Sequence, residues 1–137
     1  MDDGMEGQPE APLGGGCHCG QVRYTLRGEP GFQFFCQCRD CQKLSGGGYS
    51  ANLVFPAGSL TVQGETASYA YPGGSGNPVT QVFCPRCASP LYGTVAGKEI
   101  ILLRAGSLDA PGAFAPAKVL FAERAPDWAA LHLPEAD

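Results

Sequence analysis

The amino-acid sequence predicts a mostly β protein, a single domain of short antiparallel strands. Three observations support this prediction. Twenty glycines and twelve prolines among 137 residues indicate frequent turns. Several short segments alternate apolar with polar side chains or are apolar throughout, as strands do. A hydrophobic fraction of 44% is sufficient for a core, and no repeat or linker divides the chain.

The expected strands follow one another with short turns between them. Residues 1–14 are acidic and rich in Gly and Pro, so we expect a disordered tail there, then a domain at residues 15–133 and a second tail at 134–137. Strands are expected at residues 21–27, 32–36, 49–55, 60–62, 67–71, 79–83, 91–95, 100–104 and 118–122. Residues 100–103 are apolar on both faces, which predicts a central strand.

Two short helical segments are also expected. Residues 39–45 would form one turn that ends at the glycines at 46–48, and residues 127–131 would form a C-terminal helix capped by Asp127. Trp128 is expected to pack on the core. Burial is likewise the default expectation for four phenylalanines: Phe32, Phe34, Phe35 and Phe55.

The charge of the chain excludes some classes of function. A net charge of −4 and a pI of about 5.0 argue against a nucleic-acid binder, which needs a basic surface. No apolar run approaches the roughly 18 residues of a membrane span, and the acidic N-terminus lacks the pattern of a signal peptide. We therefore expect a cytoplasmic protein, a monomer or homodimer, whose partner is a small molecule rather than nucleic acid or a membrane.

Seven closely spaced cysteines are the main functional signal. Such spacing brings sulfurs onto one metal ion, and a reducing cytoplasm disfavours disulfides. Cys17 and Cys19 can point to the same side of an extended chain, and the turn from Cys84 to Cys87 brings its two sulfurs together. Four thiolates form a closed tetrahedral set, so these residues predict a structural zinc site.

The remaining thiols, Cys36, Cys38 and Cys41, can occupy three corners of a second site. The fourth corner is left for water, substrate or another side chain, and an open position is typical of catalytic zinc. Three thiolates make Zn²⁺ a weak Lewis acid for water but suit a sulfur ligand from a substrate, whose thiolate is the nucleophile. We therefore predict two Zn²⁺ ions per chain, with thiol transfer or carbon–sulfur chemistry at the second.

Other arrangements of the thiols remain open on the sequence alone. The three-cysteine site could be structural, with a fourth ligand from His18, His132 or Asp40. A different grouping, at positions 36, 38, 84 and 87, or an iron–sulfur cluster would also use these cysteines.

Residues around the three-cysteine stretch are candidates for substrate contacts. Arg39 and Asp40 could balance the charge of the site. The segment that holds Ser45, Gly46 and Tyr49 could offer backbone N–H groups to an anionic substrate. The glycine-rich loop at residues 73–77 could form another wall of the pocket.

These residues resemble a known family, the glutathione-dependent formaldehyde-activating enzymes, also named with the centromere protein V domain. The resemblance spans roughly residues 14–130 and rests on three motifs: Gly16-Cys17-His18-Cys19-Gly20, Cys36-Gln37-Cys38-Arg39-Asp40-Cys41 followed by Ser45-Gly46, and Phe83-Cys84-Pro85-Arg86-Cys87 followed by Pro90-Leu91. It implies an Mss4-like zinc-bearing β fold, with structural zinc on the four outer cysteines and catalytic zinc on the other three. The implied activity is condensation of formaldehyde with glutathione, classed as a carbon–sulfur lyase.

Two positions depart from the usual pattern of that family. Ala88 stands where the family often has Gly after the last cysteine, and Gln81 stands where it often has Arg. We expect Ala88 to need a different turn, because Ala tolerates positive φ less well than Gly, and Gln81 to remove a charge near the metal loops. The resulting interpretation is a carbon–sulfur lyase acting on a small thiol adduct; the alternative is a non-catalytic, zinc-stabilised binding module.

Overall fold

The computed structural model describes residues 13–133, and most of its regular structure is strand. The strands are β1 Leu13–Gly16, β2 Arg23–Leu26, β3 Gln33–Cys36, β4 Ser50–Pro56, β5 Leu60–Gln63, β6 Ala67–Pro72, β7 Pro78–Phe83, β8 Pro90–Val95, β9 Ile100–Arg104 and β10 Lys118–Leu120. One α-helix, α1, spans Arg39–Ser45, and 3₁₀ turns cover Ala57–Ser59, Ala105–Ser107, Pro111–Ala113, Ala122–Arg124 and Asp127–Ala129. Within residues 13–133, no helix is long and apolar enough to cross a membrane.

The described strands form two sheets. The large sheet has seven strands in the order β10-β3-β4-β9-β8-β7-β6, and the small sheet has three in the order β1-β2-β5. All neighbours are antiparallel except β10, which pairs in parallel with β3. The predicted mostly β fold is therefore confirmed, and β9 is a central strand, as its apolar sequence predicted.

The two sheets share one apolar core. Leu53 and Phe55 of β4, together with Leu103 of β9, are fully buried, and so are Leu26 of β2 and Val22, which directly precedes β2. Because alternate residues of a strand face opposite sides, Ser50 and Asn52 of β4 and Arg104 of β9 lie on the other face of the large sheet. That second face carries the polar residues of the site described below.

Strand β1 was not predicted from the sequence. Leu13 and Gly14 were assigned to a disordered tail, but they pair with β2 from Leu26 and Thr25 onward. The glycines of β1 serve close packing, because a Cβ on Gly15 would lie 2.3 Å from Tyr24 Oη. The rest of the predicted tail, residues 1–12, and the predicted C-terminal tail at 134–137 lie outside the described residues.

Two aromatic residues expected in the core are exposed. Trp128 is 74% exposed and Phe32 is 46% exposed. The C-terminal turn is a 3₁₀ segment, Asp127–Ala129, that follows Pro126 and has no side-chain cap from Asp127. Because this turn contributes Ala129 rather than Trp128 to the interior, the expected packing of the indole was wrong.

Candidate metal centres and the cavity beside them

Four cysteines from distant parts of the chain converge at one end of the small sheet. Cys17 and Cys19 follow β1, and Cys84 and Cys87 lie in the turn between β7 and β8. Their four sulfurs all lie within 4.8 Å of one another. The Cys17–Cys19 and Cys19–Cys84 sulfur distances are 3.6 and 3.8 Å, close to the about 3.8 Å that tetrahedral zinc with Zn–S bonds of about 2.3 Å requires. This group could hold a metal ion, and its donor set fits zinc.

Backbone N–H groups point at these sulfurs, as is usual around metal-bound thiolates. Val22 N–H donates to Cys17 Sγ at 3.2 Å, and Arg86 N–H donates to Cys84 Sγ at 3.3 Å. The hydroxyl of Ser89 lies 3.2 Å from Cys87 Sγ, and its hydrogen bond lowers the pKa of that thiol to about 5. The geometry of this turn therefore stabilises the thiolate of Cys87, which is the form that binds metals.

The turn after the four-cysteine group contains a residue in the left-handed backbone conformation. Ala88 has a φ of 67°, and its N–H donates to the carbonyl of Cys84 at 2.8 Å. The chain thus adopts the backbone that Gly would take there, and does so with a Cβ present. The expectation of a different turn at Ala88 is not supported by this geometry.

The other three cysteines lie where β3 passes into α1. Cys36 ends β3, Cys38 is the N-cap of α1, and Cys41 lies in its first turn. Cys38 Sγ accepts from Cys41 N–H at 3.4 Å, which curls the chain so that the three sulfurs lie within 4.8 Å of one another. Gly46, with a φ of 77°, ends the helix as the sequence predicted. Among residues 13–133, no histidine or carboxylate joins this group.

The three thiols differ in acidity. The hydrogen bond with Cys36 lowers the pKa of Cys41 to about 6, with Ser50, Cys38 and the charge of Arg104 acting in the same direction. That same hydrogen bond and burial raise the pKa of Cys36, while burial raises the pKa of Cys38. Without a metal, the negative charge of the group therefore resides mainly on Cys41.

Two buried glutamines tie the three-cysteine stretch to the C-terminal segment. Gln37 is 1% exposed, and its Nε2 donates to the carbonyl of Ala129 at 2.8 Å and of Gly48 at 3.2 Å. Gln42 Nε2 donates to the carbonyls of Gln37 at 2.9 Å and Arg124 at 3.1 Å. These bonds hold the cysteine stretch against residues that lie more than 80 positions later in the chain.

A cavity of about 630 Å³ opens beside the three-cysteine group. Cys41, Ser45 and Tyr49 line one side, and an exposed ion pair between Arg23 and Asp109 lies at another. Gly46 caps α1 and is not part of the lining, and the predicted wall at residues 73–77 does not reach this cavity either. Other lining residues include Cys17, His18, Gln81, Ser89 and Arg104.

Arg104 is a residue of the site that sequence reasoning missed. Its guanidinium donates to Asn52 Oδ1 and, at 3.0 Å, to Gln81 Oε1. The presence of Gln81 in place of the family's Arg suggested that the site lacks a cation. Arg104 of β9 supplies one, because its guanidinium reaches Gln81. The sequence gives little signal of this role, since an arginine at the end of an apolar strand is typical of a solvent-exposed end.

The other candidate residues lie as follows. Arg39 donates to Gln42 Oε1 within α1, and Asp40 is exposed. His18 lines the cavity, and its backbone N–H donates to Ser89 Oγ at 3.0 Å. His132 is exposed. None of these side chains completes the three-cysteine group, and the grouping of positions 36, 38, 84 and 87 is excluded because Cys84 and Cys87 join Cys17 and Cys19.

Comparison with known proteins finds relatives of this chain in sequence and in structure. A curated protein of Halomonas elongata, whose name assigns it provisionally to the glutathione-dependent formaldehyde-activating enzymes, is 34% identical over 132 residues, covering 91% of this chain and 84% of that protein. The crystal structure of a Rhodobacter sphaeroides protein superposes with a TM-score of 0.58 at 20% identity, covering 77% of this chain and 98% of that one, which shows the shared fold.

Residues 12–124 match the family described as Glutathione-dependent formaldehyde-activating enzyme. This match includes all seven cysteines, the cavity and the strands that position them. The chain belongs to the glutathione-dependent formaldehyde-activating enzyme family.

Proposed function

We propose that the protein is a zinc-dependent enzyme of the carbon–sulfur lyase type that joins a small thiol to formaldehyde. Family membership suggests glutathione as the thiol. The observation that carries the proposal is the three-cysteine group itself. Its sulfurs converge beside a cavity, and no fourth protein ligand is found among residues 13–133. A metal site that stays open toward a cavity is the arrangement expected for catalysis.

The two cysteine groups have separate roles in this proposal. Cys17, Cys19, Cys84 and Cys87 would hold a structural zinc ion, while Cys36, Cys38 and Cys41 would hold the catalytic one, in a domain that includes strand β1 from Leu13 onward. Cys36, Cys38 and Cys41 would hold this zinc ion, which would supply the positive charge that lowers the pKa of a substrate thiol. The cavity volume of about 630 Å³ lies within the range of small-molecule sites.

The proposed reaction balances without an oxidant or reductant. A bond forms between the thiol sulfur and the carbonyl carbon, the π electrons of the C=O bond move to oxygen, and the oxygen gains the proton that the thiol loses. The chain binds and orients the reactants. Ser45 and Tyr49 lie on the cavity wall beside Cys41, and the charged groups of Arg23 and Asp109 can meet the carboxylate and ammonium groups of a peptide thiol.

The first test of the proposal is metal content. Zinc would be measured by mass spectrometry in the purified protein and again after mild and after strong chelation. We expect two ions per chain, one of which is removed by mild chelation because its site has only three protein ligands. A single, tightly held ion would contradict the proposal.

The second test is turnover. The rate of formation of the S-hydroxymethyl adduct from formaldehyde and glutathione would be followed by NMR exchange, with the uncatalysed rate subtracted. We expect acceleration by the wild-type protein and none by a folded Cys38→Ala variant. If the protein binds two zinc ions but does not accelerate adduct formation, the non-catalytic binding module is the better description.

A further inference from the structure

The polar face of the large sheet contains a row of side chains centred on Arg104. One nitrogen of its guanidinium donates to Asn52 Oδ1, and the other donates to Gln81 Oε1 at 3.0 Å. Both acceptors are buried, Asn52 being 1% and Gln81 7% exposed. Within residues 13–133, no carboxylate lies within 4.0 Å of this guanidinium. Among the described residues, Arg104 therefore has two neutral hydrogen-bond partners and no acidic residue in contact with it.

The register of the sheet makes room for this side chain. Arg104 pairs with Asn52 across β9 and β4, whereas Gln81 lies two strands away on β7. The intervening residue on β8 is Gly93, where a Cβ would lie 3.0 Å from the Arg104 guanidinium. Because Gly93 has no side chain, the arginine can lie flat across β8 and reach Gln81. The guanidinium is thus held in one place by backbone register as well as by hydrogen bonds.

This row leads to the three-cysteine group. Asn52 Nδ2 donates to Ser50 Oγ at 2.9 Å, and Ser50 lines the cavity together with Cys41. Ser50 also pairs with Cys36 across β4 and β3. Arg104 and Cys41 line the same cavity. The cation is therefore connected to the cysteines through Asn52 and Ser50, and it lines the cavity beside them.

Charge explains why a cation is needed there. Three thiolates around a divalent metal carry a net charge of −1, and a thiolate as fourth ligand would raise it to −2. Such a charge beside a buried sheet face is unfavourable unless an opposite charge is near. Arg39, which the sequence suggested for this task, is bonded within α1 to Gln42. Of the two arginines that line the cavity with Cys41, Arg23 is paired with Asp109, whereas Arg104 lies on this polar face.

We propose that Arg104 is a specificity-determining residue of the three-cysteine site, whose fixed charge favours an anionic sulfur ligand from the cavity over a neutral ligand. This inference rests on the proposed function, because it assumes a divalent metal on Cys36, Cys38 and Cys41. Asn52 and Gln81 act as positioning residues that orient the guanidinium. Gly93, which has no side chain, provides the space in which the Arg104 side chain lies.

The test uses ligand binding to the metal rather than turnover. The protein would be loaded with Co²⁺, whose absorption spectrum reports its ligands, and titrated with 2-mercaptoethanol and, separately, with imidazole at pH 8. The variants are Arg104→Gln, which removes the charge, and Arg104→Lys, which keeps it. Arg27→Gln is the matched control, since Arg27 is exposed and does not line the cavity.

We expect Arg104→Gln to weaken binding of 2-mercaptoethanol by tenfold or more, because a nearby opposite charge shifts such equilibria by about that factor, while imidazole binding changes less than threefold. Arg104→Lys should recover part of the thiol affinity, and Arg27→Gln should match wild type. Equal loss of both ligands in Arg104→Gln, or no loss of thiol affinity, would overturn the inference.

The Arg104→Lys variant keeps the inference testable even if Arg104→Gln does not fold. If Arg104→Gln does not fold, Arg104→Lys with wild-type preference for the thiol supports the role of charge, and Arg104→Lys with equal affinity for both ligands contradicts it. The proposed function fails in a different way. In that case the wild-type Co²⁺ protein itself would show no spectral change with 2-mercaptoethanol.

Discussion

The sulfur atoms of Cys19 and Cys84 lie 3.8 Å apart, although 65 positions separate these residues in the sequence. Cys19 follows β1 in the small sheet, and Cys84 follows β7 in the large one. A metal ion bound here would therefore link the two sheets directly. The three-cysteine group, by contrast, draws all its sulfurs from six consecutive residues. The two groups should consequently differ in what they contribute to stability.

Replacing one ligand in each group should separate these contributions. We expect Cys84→Ala to lower the melting temperature by about 10 °C or more, because it removes a metal cross-link between the sheets, whose binding free energy adds to folding. Cys38→Ala should change the melting temperature by only a few degrees while releasing one zinc ion. Calorimetry and zinc analysis on the same samples would check this. Similar losses of stability in both variants would show that both sites are structural.

Ala88 offers a stabilising substitution. Its φ of 67° is unfavourable for a residue with a Cβ, by about 1 kcal/mol or somewhat more. Gly removes this strain, which stabilises the folded state, but its greater freedom in the unfolded chain offsets part of the gain. We expect the first effect to prevail, so that Ala88→Gly raises the free energy of unfolding by about 0.5–1 kcal/mol. Ala88→Val should lower it. Urea unfolding of the three proteins at fixed zinc concentration would give the order, and a destabilised Ala88→Gly would refute the strain argument.

Gln37 should be necessary for the order of the C-terminal segment. Gln37→Ala leaves the buried carbonyls of Ala129 and Gly48 without their donor, at a cost of about 2–3 kcal/mol. Hydrogen–deuterium exchange in residues 124–131 should then become faster than in wild type. The matched control is Gln63→Ala, since Gln63 is an exposed glutamine of β5. Unchanged exchange would mean that other contacts hold this segment.

The acidity of Cys41 can be tested by alkylation. After mild chelation has removed the labile metal, a thiol with a pKa of about 6 is mostly thiolate at pH 7. Labelling of Cys41 by iodoacetamide should thus fall as pH drops below about 6 and change little between pH 7 and 8. Cys38, whose pKa is raised by burial, should still gain rate over that interval. Peptide mass spectrometry would identify each site, and a tenfold rise for Cys41 between pH 7 and 8 would contradict the prediction.

Local sequence patterns predicted much of this molecule. The helix from Arg39 to Ser45 could be read from its terminal glycine, and the partition of the cysteines into four and three followed from ligand spacing. These features depend on residues close together in the chain, or on the chemistry of a single residue type. The same holds for β9, where consecutive apolar residues can only be accommodated in the interior of a sheet.

Features that depend on sheet register could not be predicted in this way. The role of Arg104 requires Asn52, Gly93 and Gln81 on three other strands to align with it. Strand β1 was not predicted because its glycines resemble those of a flexible tail. In the structure, Gly15 is needed because a side chain at this position would clash with Tyr24 on the neighbouring strand. Trp128 was misjudged because size alone does not show which residue of a short turn points inward.

The hydrogen bond between Gln37 and Ala129 has a consequence for biosynthesis. Gln37 meets its partner Ala129 only after 92 further residues have been added to the nascent chain. At a synthesis rate of about 5–20 residues per second, this hydrogen bond to the three-cysteine stretch can form only about 5–20 s after the stretch itself has been made. The four-cysteine group is complete as soon as Cys87 has been made. The four-cysteine group is therefore complete in the nascent chain before the three-cysteine stretch gains its C-terminal support.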